Sequence, residues 1–174
     1  MPYTAKDRAL VNIAGQILSA RLIEKVREEM GAVYSIWASG SMSRANDPNT
    51  VIQSVFPMKP ELKEQVLKVI ADEFKAMESN ITPVEFNKVI EFQVKQAKEG
   101  KEKNEDWIGA MSATGINGVD TFTGNIELYQ SLTPADVMNF MKAFNKGSYR
   151  MIVLDPDAET LAKAAEAAKA EAAK

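Results

Sequence analysis

Apolar residues recur at three- and four-residue steps through the N-terminal stretch, at Leu10, Ile13, Ala14, Ile17, Leu18, Leu22 and Val26. That spacing keeps one side of an α-helix apolar and predicts a single long amphipathic helix. Thr4 followed by Asp7 gives it a cap-like start. Gly31 is placed to end it, and Lys25 and Arg27 fall in the last turn, where cations meet the negative end of the helix dipole. Past Gly31 the period changes. Ala32–Met42, with Val33, Tyr34, Ile36 and Trp37, suits a strand. Asn49–Pro57, with Val51, Ile52, Val55 and Phe56, suits a second. The turn cluster from Ser43 to Pro48 joins them as an antiparallel hairpin.

Pro60 opens the next helix, with a stripe of Leu62, Val66, Val69, Ile70, Phe74 and Met77. Thr82-Pro83-Val84-Glu85 is a complete start signal: a cap, a proline in the first position and an acid at the third. Phe86, Val89, Ile90, Val94 and Ala97 continue that helix. Seven of the nine residues from Lys98 to Asp106 are charged, with the signs mixed, as in a solvated helix end or connection. Trp107, Ile108 and Met111 predict a short helix, and Ile126, Leu128 and Tyr129 a helical turn. Thr133-Pro134-Ala135-Asp136 repeats the start signal ahead of Val137, Phe140, Met141 and Phe144. Ser148–Leu154 alternates as a closing strand that Asp155-Pro156 would stop.

Helix, hairpin, a run of helices and one strand together predict an α+β fold: an antiparallel or mixed sheet with helices packed on one face. Three strands offer little sheet for so much helical apolar surface. The expectation is a truncated sheet whose further strands precede residue 1. Residues 1–156 read as a single partial domain and residues 157–174 as an Ala/Glu/Lys-rich tail, helical or frayed.

Composition narrows the chemistry. The chain has 174 residues, 45% of them apolar and 26% charged, within the ordinary range for a globular protein. Its net charge of −3 makes no electrostatic case for nucleic acid or an anionic membrane. No apolar run approaches the roughly 18 residues of a membrane-spanning helix, and Met1–Arg8 lacks the apolar core of a signal peptide. There is no histidine and no cysteine. That excludes a His/Cys zinc site, a Ser-His or Cys-His nucleophile pair and any disulfide. Asp155 and Asp157 read as a strand-end turn rather than a cation site, and Trp37 and Trp107 as core.

The segment Ile17-Leu18-Ser19-Ala20-Arg21-Leu22 through Val26-Arg27-Glu28-Glu29-Met30-Gly31-Ala32-Val33-Tyr34-Ser35 is more specific. An arginine near the end of a helix is followed seven residues later by a tyrosine, across a glycine cap. This string resembles the C-terminal, non-catalytic half of the pitrilysin and insulin-degrading-enzyme family of zinc metallopeptidases. The resemblance runs over residues 5 to 156, through the hairpin, the helices after Pro60 and Thr82, the Leu132–Val137 start and the closing strand. In that family the N-terminal half carries an inverted zinc motif, and the C-terminal half supplies no metal ligand. The resemblance therefore implies no cofactor in this chain, and zinc in a partner half of the same polypeptide or in a partner subunit. It implies Arg27 and Tyr34 as substrate-binding residues that reach a bound peptide near the scissile carbonyl, and a bacterial envelope or cytoplasmic setting.

Other readings stay open on the residues alone. Arg27 could neutralise the helix end or pair with Glu24, and Tyr34 could pack on the sheet. The chain could be an inactive family member acting as a scaffold, or a protein-binding module unrelated to proteolysis. A bare sheet edge also invites pairing with a second copy.

Overall fold

The computed structural model describes residues 2–44, 49–155, 157 and 160. Helix α1 spans Ala5–Leu22 and passes into a π-helical segment, Ile23–Glu29. Strands β1 (Ala38–Ser43) and β2 (Asn49–Ser54) follow. A 3-10 turn at Pro60–Leu62 leads into α2 (Lys63–Ala76), then α3 (Pro83–Lys101), α4 (Asn104–Asn117), α5 (Asn125–Ser131) and α6 (Pro134–Phe144). The fold is α+β, with a small antiparallel sheet beside a larger helical layer.

The start signals act as their residue types require. Thr4, Thr82 and Thr133 accept from the backbone N–H of Asp7, Glu85 and Asp136, which satisfies a donor each first turn leaves open. At α6 the box is closed in both directions, because Asp136 also accepts from the Thr133 backbone N–H.

Helix α1 is central. Val11, Ile13, Ala14, Leu18 and Leu22 are wholly buried, and of its residues only Lys6, Arg8 and Ala20 are exposed. The stripe read as one apolar side is part of a helix covered on most sides. The hairpin lies against it on one flank, and α2, α3, α5 and α6 touch it elsewhere. Two glycines permit the closest contact. A Cβ on Gly15 would lie 2.2 Å from the Gly40 nitrogen, and a Cβ on Gly40 would lie 1.8 Å from the Val11 carbonyl oxygen. Helix and strand meet backbone to backbone there.

The strands pair in the register Gly40↔Ile52, with Ala38 opposite Ser54 and Met42 opposite Thr50. Ala38 is in the core, and Met42 and Ile52 pack against it. Ser39, Ser41, Ser43, Asn49, Val51 and Gln53 alternate onto the other face, which is polar except for Val51 and carries no charge. The helices thus pack on one face, as predicted.

Three expectations are corrected. The first strand begins at Ala38 rather than Ala32, because the buried positions Ala32, Val33 and Ile36 do not alternate. Ser148–Leu154 forms no strand: Tyr149, Ile152 and Leu154 are 84–91% exposed, and within the described residues the sheet is the β1–β2 pair alone. Trp37 and Trp107 are not core residues, at 47% and 38% exposed. Trp107 instead packs edge-on against Phe122, with ring centroids 4.9 Å apart. The turn at 45–48 and nearly all of the 157–174 tail lie outside the described residues. No helix among the described residues is long and apolar enough to cross a membrane.

Candidate functional site

Apolar positions Leu10, Ala14, Leu18, Leu22 and Val26 are four apart. Each such step overshoots one α-helical turn by about 40°, so a long run walks off the buried side. After Leu22 the helix widens, and Val26 remains fully buried. Met30 N–H donates to the Lys25 carbonyl at 3.1 Å, and Ala32 N–H donates to the Val26 carbonyl at 3.1 Å. Wide turns of this kind are rare and concentrate at functional sites. Gly31, at φ 58°, reverses the chain in the left-handed region; a side chain would find open space there, so conformation selects the glycine. The last turns were expected to be ordinary α-helix, and they are not.

Arg27 and Tyr34 leave the chain on either side of this reversal. Val26, Ala32, Val33 and Ile36 anchor it in the core, while Arg27, Glu28, Glu29, Tyr34, Ser35 and Trp37 face outward. Tyr34 is 89% exposed and sits in a bend ahead of β1, so it does not pack on the sheet. Neither Arg27 nor Tyr34 makes a hydrogen bond or ion pair among the described residues, so Arg27 is not paired with Glu24. Pairing with Glu24 and packing on the sheet are therefore not what these side chains do, while Arg27 keeps its place as the cation of the last turn. What stands there is a guanidinium and a phenol, both hydrogen-bond donors, on either side of the glycine reversal.

The donor set does not suit zinc. The sequence lacks histidine and cysteine, and among the described residues no three carboxylates converge.

One cluster beneath the site escaped the sequence reading. Glu73 of α2 is 4% exposed. Its Oε2 accepts from Arg21 Nη1 at 3.3 Å, and its Oε1 accepts from Lys25 Nζ. Arg21 Nη2 also donates to Glu85 Oε1 and to the Asn80 carbonyl, each at 2.5 Å. The signal was present in α2: Glu73 stands seven residues after Val66 and four before Met77, inside the apolar stripe. An ionisable residue in such a stripe needs a buried partner.

The comparisons with known proteins fit this architecture. The model of the peptidase M16 inactive domain matches residues 2–92. The periplasmic protease PqqL of Escherichia coli superposes at TM-score 0.70 with 16% identity, over 82% of this chain and 16% of that one. A protease of Helicobacter pylori superposes at 0.67 with 15% identity, over 79% and 34%. A peptidase M16 inactive domain of Pseudomonas fluorescens superposes at 0.63 with 20% identity, over 86% and 39%. These likenesses are of fold, and the chain spans between a sixth and two fifths of the length of the proteins it matches. Curated protein sequences contain no match. With more than half of its residues under the family model and the helix–hairpin–helices order in place, the chain belongs to the peptidase M16 (pitrilysin) family, as its inactive, C-terminal type of domain.

Proposed function

We propose that this chain is the substrate-binding, non-catalytic half of a zinc-dependent endopeptidase, and that Arg27 and Tyr34 are its contacts to the peptide. The zinc and its activated water belong to a partner half, on the same polypeptide or in a second subunit, and the two halves close over the substrate. The observation that carries the reading is that both side chains stand exposed, and without a partner among the described residues, beside a glycine-reversed π turn in a peptidase-family domain.

The chemistry assigned to them is modest and specific. Attack on a peptide carbonyl places negative charge on its oxygen. A guanidinium and a phenol aimed at that oxygen stabilise the charge, and in comparable sites removing one donor costs ~3 kcal/mol. The same donors grip an extended peptide by its backbone and leave its side chains unread. In the intact two-half enzyme, Arg27→Ala and Tyr34→Phe should each lower kcat/KM by roughly a hundredfold with the melting temperature unchanged. Unchanged activity would remove both from the site and favour a scaffold role.

The reading includes self-association of the isolated chain. Within the described residues, β1 and β2 pair only with each other, so the hairpin offers strand edges to a second copy. Light scattering should report a dimer, and a monodisperse monomer would contradict this part.

A further inference from the structure

Glu73 is the one charged side chain buried among the described residues, and its two oxygens are divided between two cations of one helix. Arg21 lies in the last turn of α1, and Lys25 in the π segment. The change from α to π winding, between Leu22 and Ile23, falls between them. A single buried carboxylate thus bridges the junction. It is held in place from outside the helix, because Arg21 is tied in turn to Glu85 and to the Asn80 carbonyl, at the start of α3 and just before it.

The junction sets where Arg27 points. A residue of an α-helix advances about 100° around the axis, and a residue of the wider π turn advances less. If the turn relaxed to α winding, everything beyond Ile23 would rotate, and Arg27 would leave the helix in another direction. Val26 burial restrains one side of the turn. Lys25, two residues before Arg27, restrains the other through its ion pair. The Lys25 side chain is 45% exposed, so the contact is not needed to fill the core.

We infer that Glu73, acting through Lys25, is a positioning residue that holds the π turn and so aims Arg27. As a statement about substrate it rests on the proposed role of Arg27; as a statement about the turn it does not, and the two are tested separately. Lys25→Met keeps the stem and removes the charge, and Lys25→Arg restores a cation. Glu73→Gln, which keeps the shape and loses the charge, is the second variant. Hydrogen exchange on the isolated chain reads the Met30 and Ala32 amides, which close the wide turn, against the α6 amides as reference. Lys25→Met and Glu73→Gln should raise exchange at Met30 and Ala32 selectively, and Lys25→Arg should return it. In the intact enzyme Lys25→Met should lower kcat and kcat/KM together by roughly tenfold or more, with recovery in Lys25→Arg. Exchange unchanged at both amides overturns the inference. Raised exchange with full activity, where Arg27→Ala is impaired, overturns it as well. Raised exchange with Arg27→Ala fully active supports the anchoring of the turn and defeats only the substrate reading.

Discussion

Gly15→Ala separates two physical effects that point in opposite directions. Helix propensity favours the alanine by about 1 kcal/mol. Packing opposes it. The new Cβ would lie 2.2 Å from the Gly40 nitrogen, 2.7 Å from the Ser39 carbonyl carbon and 3.0 Å from the Gly40 Cα. The first contact is about 1.3 Å short of the ~3.5 Å at which non-bonded contacts become favourable. All three neighbours are backbone, so no rotamer change relieves them; β1 must move off α1. Overpacking of this kind costs about 3 kcal/mol or more, which leaves a net loss of roughly 2 kcal/mol after the propensity gain. For a chain of this length that is a fall of about 4–8 °C in Tm. Gly109→Ala is the control, since it too is a helical glycine but nothing lies within 4 Å of its Cβ position. It should gain about 1 kcal/mol. Thermal melts and urea titrations followed by circular dichroism compare the three proteins. If Gly15→Ala melts at or above the parent temperature, the backbone contact between α1 and β1 is not as described.

Two further outcomes follow from the caps and turns. Thr133→Ala opens the box at α6 and should cost about 1 kcal/mol in urea; no change in midpoint would mean that α6 is held by packing alone. Stability should also fall in acid. Hydrogen bonds from Lys6 and Thr133 hold the Asp136 carboxyl below its usual value, and hydrogen bonds from Thr123 and Phe122 bring Asp120 down to about 2. A carboxyl lowered by folding stabilises the native state above its unfolded pKa of about 3.9. That contribution is lost as pH falls through the folded value. The urea midpoint should therefore drop between pH 4 and pH 2, and drop less in Asp136→Asn; a flat midpoint would refute the assignment.

What the sequence disclosed, and what it hid, divides by range. Caps and stripes are local, so α1, α3 and α6 were legible from Thr4, Thr82 and Thr133 and the apolar steps behind them. The hairpin was legible in its pairing but not in its start, because Ala32, Val33 and Ile36 are apolar without being a strand. Ser148–Leu154 has strand alternation, but alternation cannot supply a partner strand, and the segment is exposed. Gly15 carries no signal of its own in the sequence, because its partner Gly40 lies twenty-five residues away and only the fold sets the two backbones together. Glu73 lies 52 residues from Arg21 and 48 from Lys25 along the chain, and only the fold makes one cluster of them. Arg27 and Tyr34 are candidates by resemblance. Their exposure, and their lack of partners among the described residues, are properties of the folded turn.

The central claim is a division of labour: this chain binds peptide, and the water-activating metal belongs to its partner half. The direct measurement is hydrolysis of a fluorogenic peptide by the purified chain with added zinc, alone and mixed with the catalytic half. The account predicts no turnover from the chain alone, turnover on mixing, and a large loss on mixing when the chain carries Arg27→Ala and Tyr34→Phe. Hydrolysis by the chain alone, or full turnover on mixing with the doubly substituted chain, would contradict it.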